Sequence, residues 1–105
     1  MATVNVQSQR SITTAGAQVN GVPVRASGFP VTVQVVTPAA LGRIEQSMDG
    51  VNWIVATHQN GTDVTTMDDG IFTLDDLTEW VRPATVTDGS APRTVDFLFS
   101  IYKES

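Results

Sequence analysis

Short β-rich runs separated by Asp-Gly and Asn-Gly pairs constrain the fold of this chain more than any other feature. Residues 43–48 run into Asp49-Gly50, and Val51-Asn52-Trp53-Ile54-Val55-Ala56-Thr57 runs on towards Asn60-Gly61. Both dipeptides supply the positive φ angles that a tight hairpin turn demands. A chain punctuated at this interval builds antiparallel sheet and leaves no room for long helices.

The same pattern extends in both directions. Val31, Val33 and Val35 alternate with their neighbours, the period of a half-buried strand. Ile44, Gln46 and Met48 share one face before the Asp49-Gly50 turn, and Trp53 and Val55 follow it. Pro38-Ala39-Ala40 and Asp88-Gly89-Ser90-Ala91-Pro92 read as breaks, and further extended runs fall at Val64-Thr65-Thr66, Ile71–Leu74 and Trp80–Val86. The last run is the clearest: Val95, Phe97, Phe99 and Ile101 fall on one face, and Asp96, Leu98, Ser100 and Tyr102 on the other. That apolar bulk calls for a central strand packed on a second sheet. Leu98 and Tyr102 are unusual on a solvent face and point to cover by another chain. Only Asp75-Asp76-Leu77-Thr78-Glu79 has the capping residue and acidic first turn of a short helical turn. The fold class expected is all-β, an antiparallel β-sandwich or jelly-roll-like single domain.

Residues 1–28 differ in character, with small and polar side chains and no large aromatic. Val4 and Val6 alternate with polar neighbours as a short strand would. Ala17 to Val24 reads as a hairpin with Asn20-Gly21 at its tip, and Pro23 restricts its second strand to a sheet edge. Two readings stand: an edge hairpin of the same sheet system, or an extended arm ordered by a neighbouring subunit. The division is therefore 1–28 as arm or edge hairpin and 29–105 as sandwich body.

With 105 residues the chain holds one core with little to spare. Only 16% of residues are charged, and Thr, Ser, Gln and Asn take their place. Uncharged polar β-formers suit outer sheet faces that pack on other subunits. The net charge of −5 argues against nucleic acid, whose phosphates select clustered Lys and Arg. No Lys or Arg occurs between Arg43 and Arg82, an interval that holds eight Asp and Glu residues. Cysteine is absent, which removes disulfides, thiolate nucleophiles and thiolate metal sites. No Sec-type leader is visible, and no apolar stretch approaches the roughly 20 residues of a membrane span.

No catalytic constellation stands out. The single histidine, His58, lies beside the Asn60-Gly61 turn, and no serine sits in a nucleophile-elbow context. Asp68-Asp69-Gly70 and Asp75-Asp76 gather oxygen ligands but lack the alternation of a calcium loop. They read as exposed loop acids. Asn60-Gly61-Thr62 matches a glycosylation sequon that hairpin chemistry already explains. Trp53, Trp80, Phe72 and Tyr102 offer an aromatic platform for a sugar ring, but large aromatics at strand ends more often plug a sandwich core. Arg82, beside Pro83, reads as a strand-edge residue paired with a nearby acid in an exposed ion pair. No enzyme activity and no cofactor are expected.

The segment Gln46-Ser47-Met48-Asp49-Gly50-Val51-Asn52-Trp53, followed by Trp80-Val81-Arg82-Pro83 and a terminal apolar strand, resembles small β-sandwich virion proteins of tailed phages. Head decoration (cement) proteins and small neck or tail components belong to that group. The resemblance covers about residues 43 to 102 and carries over no catalytic residue. It implies a structural protein of the virion, made in the host cytoplasm, that steadies a phage head by noncovalent contacts across capsid subunits. The partners it implies are the major capsid protein or other virion subunits, and further copies of the chain itself, with a trimer favoured; no nucleic acid and no membrane. Interface positions are expected at Val4, Val6, Val19, Val22, Leu98 and Tyr102. The alternative is a carbohydrate- or receptor-binding module of a phage tail or adhesin, which requires Trp53 or Trp80 to be accessible.

Overall fold

The computed structural model describes residues 3–14, 17–37, 41–57, 68–86 and 92–104. His58, the Asn60-Gly61-Thr62 turn, the 64–66 run, Pro38-Ala39-Ala40 and most of the 88–92 turn cluster lie outside the described residues. The chain order is β1 (Thr3–Thr13), β2 (Val19–Asn20), β3 (Val24–Arg25), β4 (Val31–Val36), β5 (Gly42–Ser47), β6 (Ile54–Val55), β7 (Gly70–Thr73), β8 (Trp80–Thr85) and β9 (Thr94–Glu104). All strand pairings among the described residues are antiparallel.

One sheet has the order β1-β9-β4-β7, and the other has β8 between β5 and the successive β2 and β3, with β6 beyond β5. Taking β2 and β3 as one interrupted strand, the chain changes sheet at every connection except β5 to β6. That is the double-sheet jelly-roll arrangement. The expected fold class is the observed one.

Alternation explains why the sheets stack. Val95, Phe97, Phe99 and Ile101 of β9 and Val31, Val33 and Val35 of β4 point inward and are buried. Ile44, Val81 and Val24 meet them from the second sheet, with Ile12, Leu74 and Ala56 closing the margins. The Phe97 and Phe99 rings lie 6.4 Å apart and nearly parallel. Burying each such ring contributes on the order of 1.5–3 kcal/mol. Phe72 packs against this cluster from β7.

Three local expectations need correction. First, Asn20-Gly21 is not a hairpin tip, because β2 and β3 both run along β8 rather than along each other. Asn20 pairs with Ala84 and Val24 with Val81, so three residues, 21–23, face two of β8. This is a β-bulge in a single edge strand. The Gly21 N–H donates to the Pro83 carbonyl at 2.7 Å. The N–H that Pro83 lacks falls on the same side of β8 as that carbonyl, so the bulge absorbs the missing ladder donor. Pro23 does sit on a sheet edge.

Second, residues 75–79 form no helical turn. The Gln46 side chain, fully buried, donates from Nε2 to the Asp76 carbonyl at 2.6 Å and to Thr78 Oγ1 at 3.0 Å. Backbone groups that an isolated turn would bond internally are thus held by a core amide. Third, β5 and β6 pair only through Glu45–Val55 and Gln46–Ile54, so their connection is a six-residue loop, 48–53, and not a two-residue turn.

Candidate interaction surfaces

The register places two unlike faces on opposite sides of the sandwich. On the β1-β9-β4-β7 sheet, Gln9, Leu98, Gln34 and Ile71 form one row across all four strands. Adjacent rows are Ser11, Asp96 and Val36 on one side and Gln7, Ser100, Thr32 and Thr73 on the other; Asn5 and Tyr102 pair beyond them. Asp96 is the one charged side chain described on this face, and Ser11 Oγ donates to it at 2.5 Å. Ser100 Oγ donates to Asn5 Oδ1 at 2.9 Å, and the Thr32 and Thr73 hydroxyls lie 3.3 Å apart. These polar groups bond to one another within the sheet. Standing clear of them are Val36 (52% exposed), Ile71 (68%) and Tyr102 (57%), with Leu98 half-buried between.

The other face is charged and aromatic. Glu45 and Arg82 are direct cross-strand partners, and Arg43 precedes Glu45 by two residues. Arg82 Nε and Nη2 reach Glu45 Oε1 at 2.8 and 2.5 Å, and Arg43 Nε reaches Oε2 at 3.0 Å. Burial pushes the Glu45 carboxyl up, but the Arg82 and Arg43 guanidinium groups together outweigh it and hold the pKa below the usual glutamate value. Arg82 is therefore a central-strand residue in a largely buried ion-pair triad, not the exposed strand-edge residue expected. Its partner β5 and the β2–β3 edge cover both sides of β8.

Neither tryptophan plugs the core, a further correction to the sequence reading. Trp80 starts β8 in the outward phase, opposite Ser47 and Arg25. The Arg25 guanidinium lies 5.4 Å from its ring, and Arg25 is held by Glu79 at 2.6 Å. Trp53 leaves the 48–53 loop to lie over Arg82, 4.3 Å from the guanidinium carbon. Both rings are half-buried, and with Pro23, Asp49 and Gly50 they line an open cleft of about 260 Å³. Phe72 and Tyr102 belong to other surfaces, so the four aromatics do not form one platform.

The loop that carries Trp53 is capped from within. Ser47 Oγ accepts the Gly50 N–H at 2.9 Å and the Asp49 N–H at 3.2 Å while donating to Asp49 Oδ1 at 2.9 Å. Asp49 Oδ1 accepts the Val51 and Asn52 N–H groups, both at 2.8 Å, and Oδ2 accepts the Asn52 amide at 2.7 Å. The Asn52 and Val51 backbone donors, then the Asn52 side chain and Ser47, hold the Asp49 carboxyl far below the usual aspartate range. Gly50 takes φ +75°, the left-handed region that favours glycine. These bonds explain why the Ser-x-Asp-Gly-x-Asn-Trp spacing works as a unit.

The positions expected at an interface are dispersed. Leu98 and Tyr102 lie on the face that carries Asp96, Val4 pairs with Lys103 in the β1–β9 register, and Val6 is exposed at the sandwich margin. Val22 is exposed in the bulge, whereas Val19 packs against the core. Ile71 and Val36 complete the face that carries Asp96 and were missed; their rows depend on the β4–β7 and β4–β9 registers. The loop acids serve local caps: Asp69 Oδ1 accepts the Thr37 N–H at 2.6 Å, and Asp76 meets the Thr57 hydroxyl at 3.5 Å.

No family model matches the chain, and no curated protein matches it in sequence. Solved structures similar to it in fold include a prophage-derived protein and an appendage protein. The SPBc2 prophage-derived protein YomS superposes with a TM-score of 0.59 at 11% identity, covering 93% of this chain and 96% of that one. A Bacillus endospore appendage protein, from a family described as disulfide-linked pili, superposes with a TM-score of 0.52 at 17% identity, covering 95% and 86%. At these identities the likeness is one of fold: a small all-β sandwich that occurs in a prophage-derived protein and in a surface appendage.

Proposed function

We propose that this protein is a structural subunit of a phage particle, and more narrowly a decoration or cement protein that stabilises the head by noncovalent contacts across capsid subunits. The observation that carries the reading is the outer face of the β1-β9-β4-β7 sheet, on which Asp96 is the one charged side chain described. Interface cores are depleted in charge, and here Val36, Ile71, Leu98 and Tyr102 stand among polar groups already bonded to each other. Desolvating that face against a capsid surface leaves one carboxylate to compensate, Asp96, which already has Ser11. The fold shared with a prophage-derived protein and an appendage subunit supports a role in virion or extracellular assembly. No chemistry is required of the chain, so the reading is non-enzymatic.

The test is to compare particles with and without the protein under heat and osmotic shock. Complete particles should survive longer, and the Ile71→Lys/Leu98→Lys double variant should fold normally yet fail to restore that resistance. Equal survival of particles lacking the protein would sink the cement role.

A second reading is favoured by the Trp53–Trp80 cleft, which meets the requirement that a tryptophan be accessible. Indole rings beside polar groups suit a sugar ring, and that surface is opposite the face that carries Leu98 and Ile71. Titrating a glycan panel while following tryptophan fluorescence tests it; saturable quenching abolished by Trp53→Ala supports it, and a flat response throughout removes it.

A further inference from the structure

Among the described residues the sandwich has four sheet edges, and three of them are guarded. β7 is four residues long and β6 only two. The β2–β3 edge is broken by its bulge and carries Pro23 and Arg25. Such devices stop edge strands from pairing with other chains. β1 is neither short nor bulged, and its one guard is Arg10 near its far end. It runs eleven residues in unbroken one-to-one register with β9, without Gly or Pro, and Arg10 is its one charged residue.

Its open hydrogen-bonding groups can be identified. The Thr14 N–H donates to the Arg93 carbonyl, the next pair in the β1–β9 register. Antiparallel ladders alternate, so even-numbered residues of β1 bond to β9 and odd-numbered residues aim N–H and C=O outward. Arg10 closes part of this edge: its Nη1 donates to the Gln9 carbonyl at 3.0 Å and its Nε to the Val22 carbonyl at 3.4 Å. Thr3, Asn5 and Gln7 are left with outward groups and no pairing strand among the described residues.

The same stretch lacks support along the sheet. The β4 register with β9 ends at Val31–Ile101, so residues 3–5 and 102–104 continue as a ribbon of two strands. The molecule is 48 Å long against 25 and 24 Å across. A two-stranded ribbon in water is marginal on its own, and a third strand is what would steady it.

We propose that this third strand is β1 of a second copy, paired antiparallel about Asn5. The segment from Thr3 to Gln9 carries no charge, so it meets itself without repulsion. Centred on Asn5, the register sets Asn5 against the partner's Asn5 and Thr3 against the partner's Gln7, with every outward backbone group exchanged. It also brings the partner strand alongside Val6, an exposed valine. The contact is two-fold and isologous, so it builds even-numbered assemblies rather than the trimer that the virion resemblance implies. It does not rest on the capsid reading, since the face that carries Leu98 and Ile71 stays open in the pair.

Analytical ultracentrifugation of the purified chain tests the proposal. Wild type should sediment at twice the 11.2 kDa chain mass. Gln7→Pro removes an outward N–H and leaves the β9 ladder intact, so it should halve the mass while melting within a few degrees of wild type. Ser8→Pro removes an inward donor and should lower the melting temperature instead. Gln7→Lys, which guards the edge without touching the backbone, should also give the single mass, and it decides the matter if Gln7→Pro fails to fold. A monomeric wild type at its highest soluble concentration, an odd-numbered oligomer, or a double mass retained by Gln7→Lys would each overturn the proposal.

Discussion

Gly21 sits where the bulge, the Pro83 ring and the Ile12 side chain converge. A Cβ there would come within 2.7 Å of Pro83 Cγ and 2.8 Å of Ile12 Cδ1. Gly21→Ala should therefore cost about 1–3 kcal/mol in a denaturant melt, the usual scale of overpacking. Glu45 makes a prediction of a different kind. Its folded-state pKa is depressed by Arg82 and Arg43, so its stabilisation is full above the unfolded glutamate pKa and is lost as pH falls through the lower, folded value. Stability should thus decline on acidification below about pH 4.3. Glu45→Gln should flatten that acid limb in melts taken between about pH 7 and pH 3, whereas an unchanged slope would show that other carboxylates control it. Neither effect was legible in the chain. Gly21 looks like a turn glycine until the β2–β8 and β3–β8 registers are known, and Glu45 meets Arg82 only through a pairing 37 residues long.

At the level of elements, what the sequence reveals is alternation. β4 and β9 are read correctly from Val31, Val33 and Val35 and from Val95 to Ile101, because period-2 burial is a local property. Connections are less readable. Asp49-Gly50 does reverse the chain, but through a six-residue loop whose bonds all return to Ser47 and Asp49. Asp49→Ala removes acceptors from two backbone N–H groups, so the Val51 and Asn52 amides should exchange with solvent much faster while β5 amides stay protected. Uniform exchange across loop and strand would mean that the cap does not hold the loop. Trp80, Arg82 and Ala84 share a phase that places the tryptophan outside, a signal present in the sequence but overridden by the tendency of tryptophan towards burial.

Across the whole molecule, the two faces divide the possible work: one with Asp96 as its single described charge, the other carrying ion pairs and the tryptophan cleft. Composition anticipated this only in part. The shortage of charge pointed to a packing surface, but concentration of charge on one sheet and its near absence from the other follows from topology. The pairing of β1 with β9 has a kinetic consequence. Thr3 faces Glu104 and Thr13 faces Thr94, so the strand nearest one end of the chain must wait for the strand nearest the other. Closing so long a loop is entropically costly, so this pairing should form late. The remaining strands can nucleate among themselves, with β1 docking after the rate-limiting step. Ile12→Val should then speed unfolding while leaving the refolding rate nearly unchanged. Until that docking occurs, an eleven-residue strand with a single charge, Arg10, is exposed to its counterparts on other nascent chains, so the yield of soluble protein should fall as expression level rises even where the finished sandwich is stable.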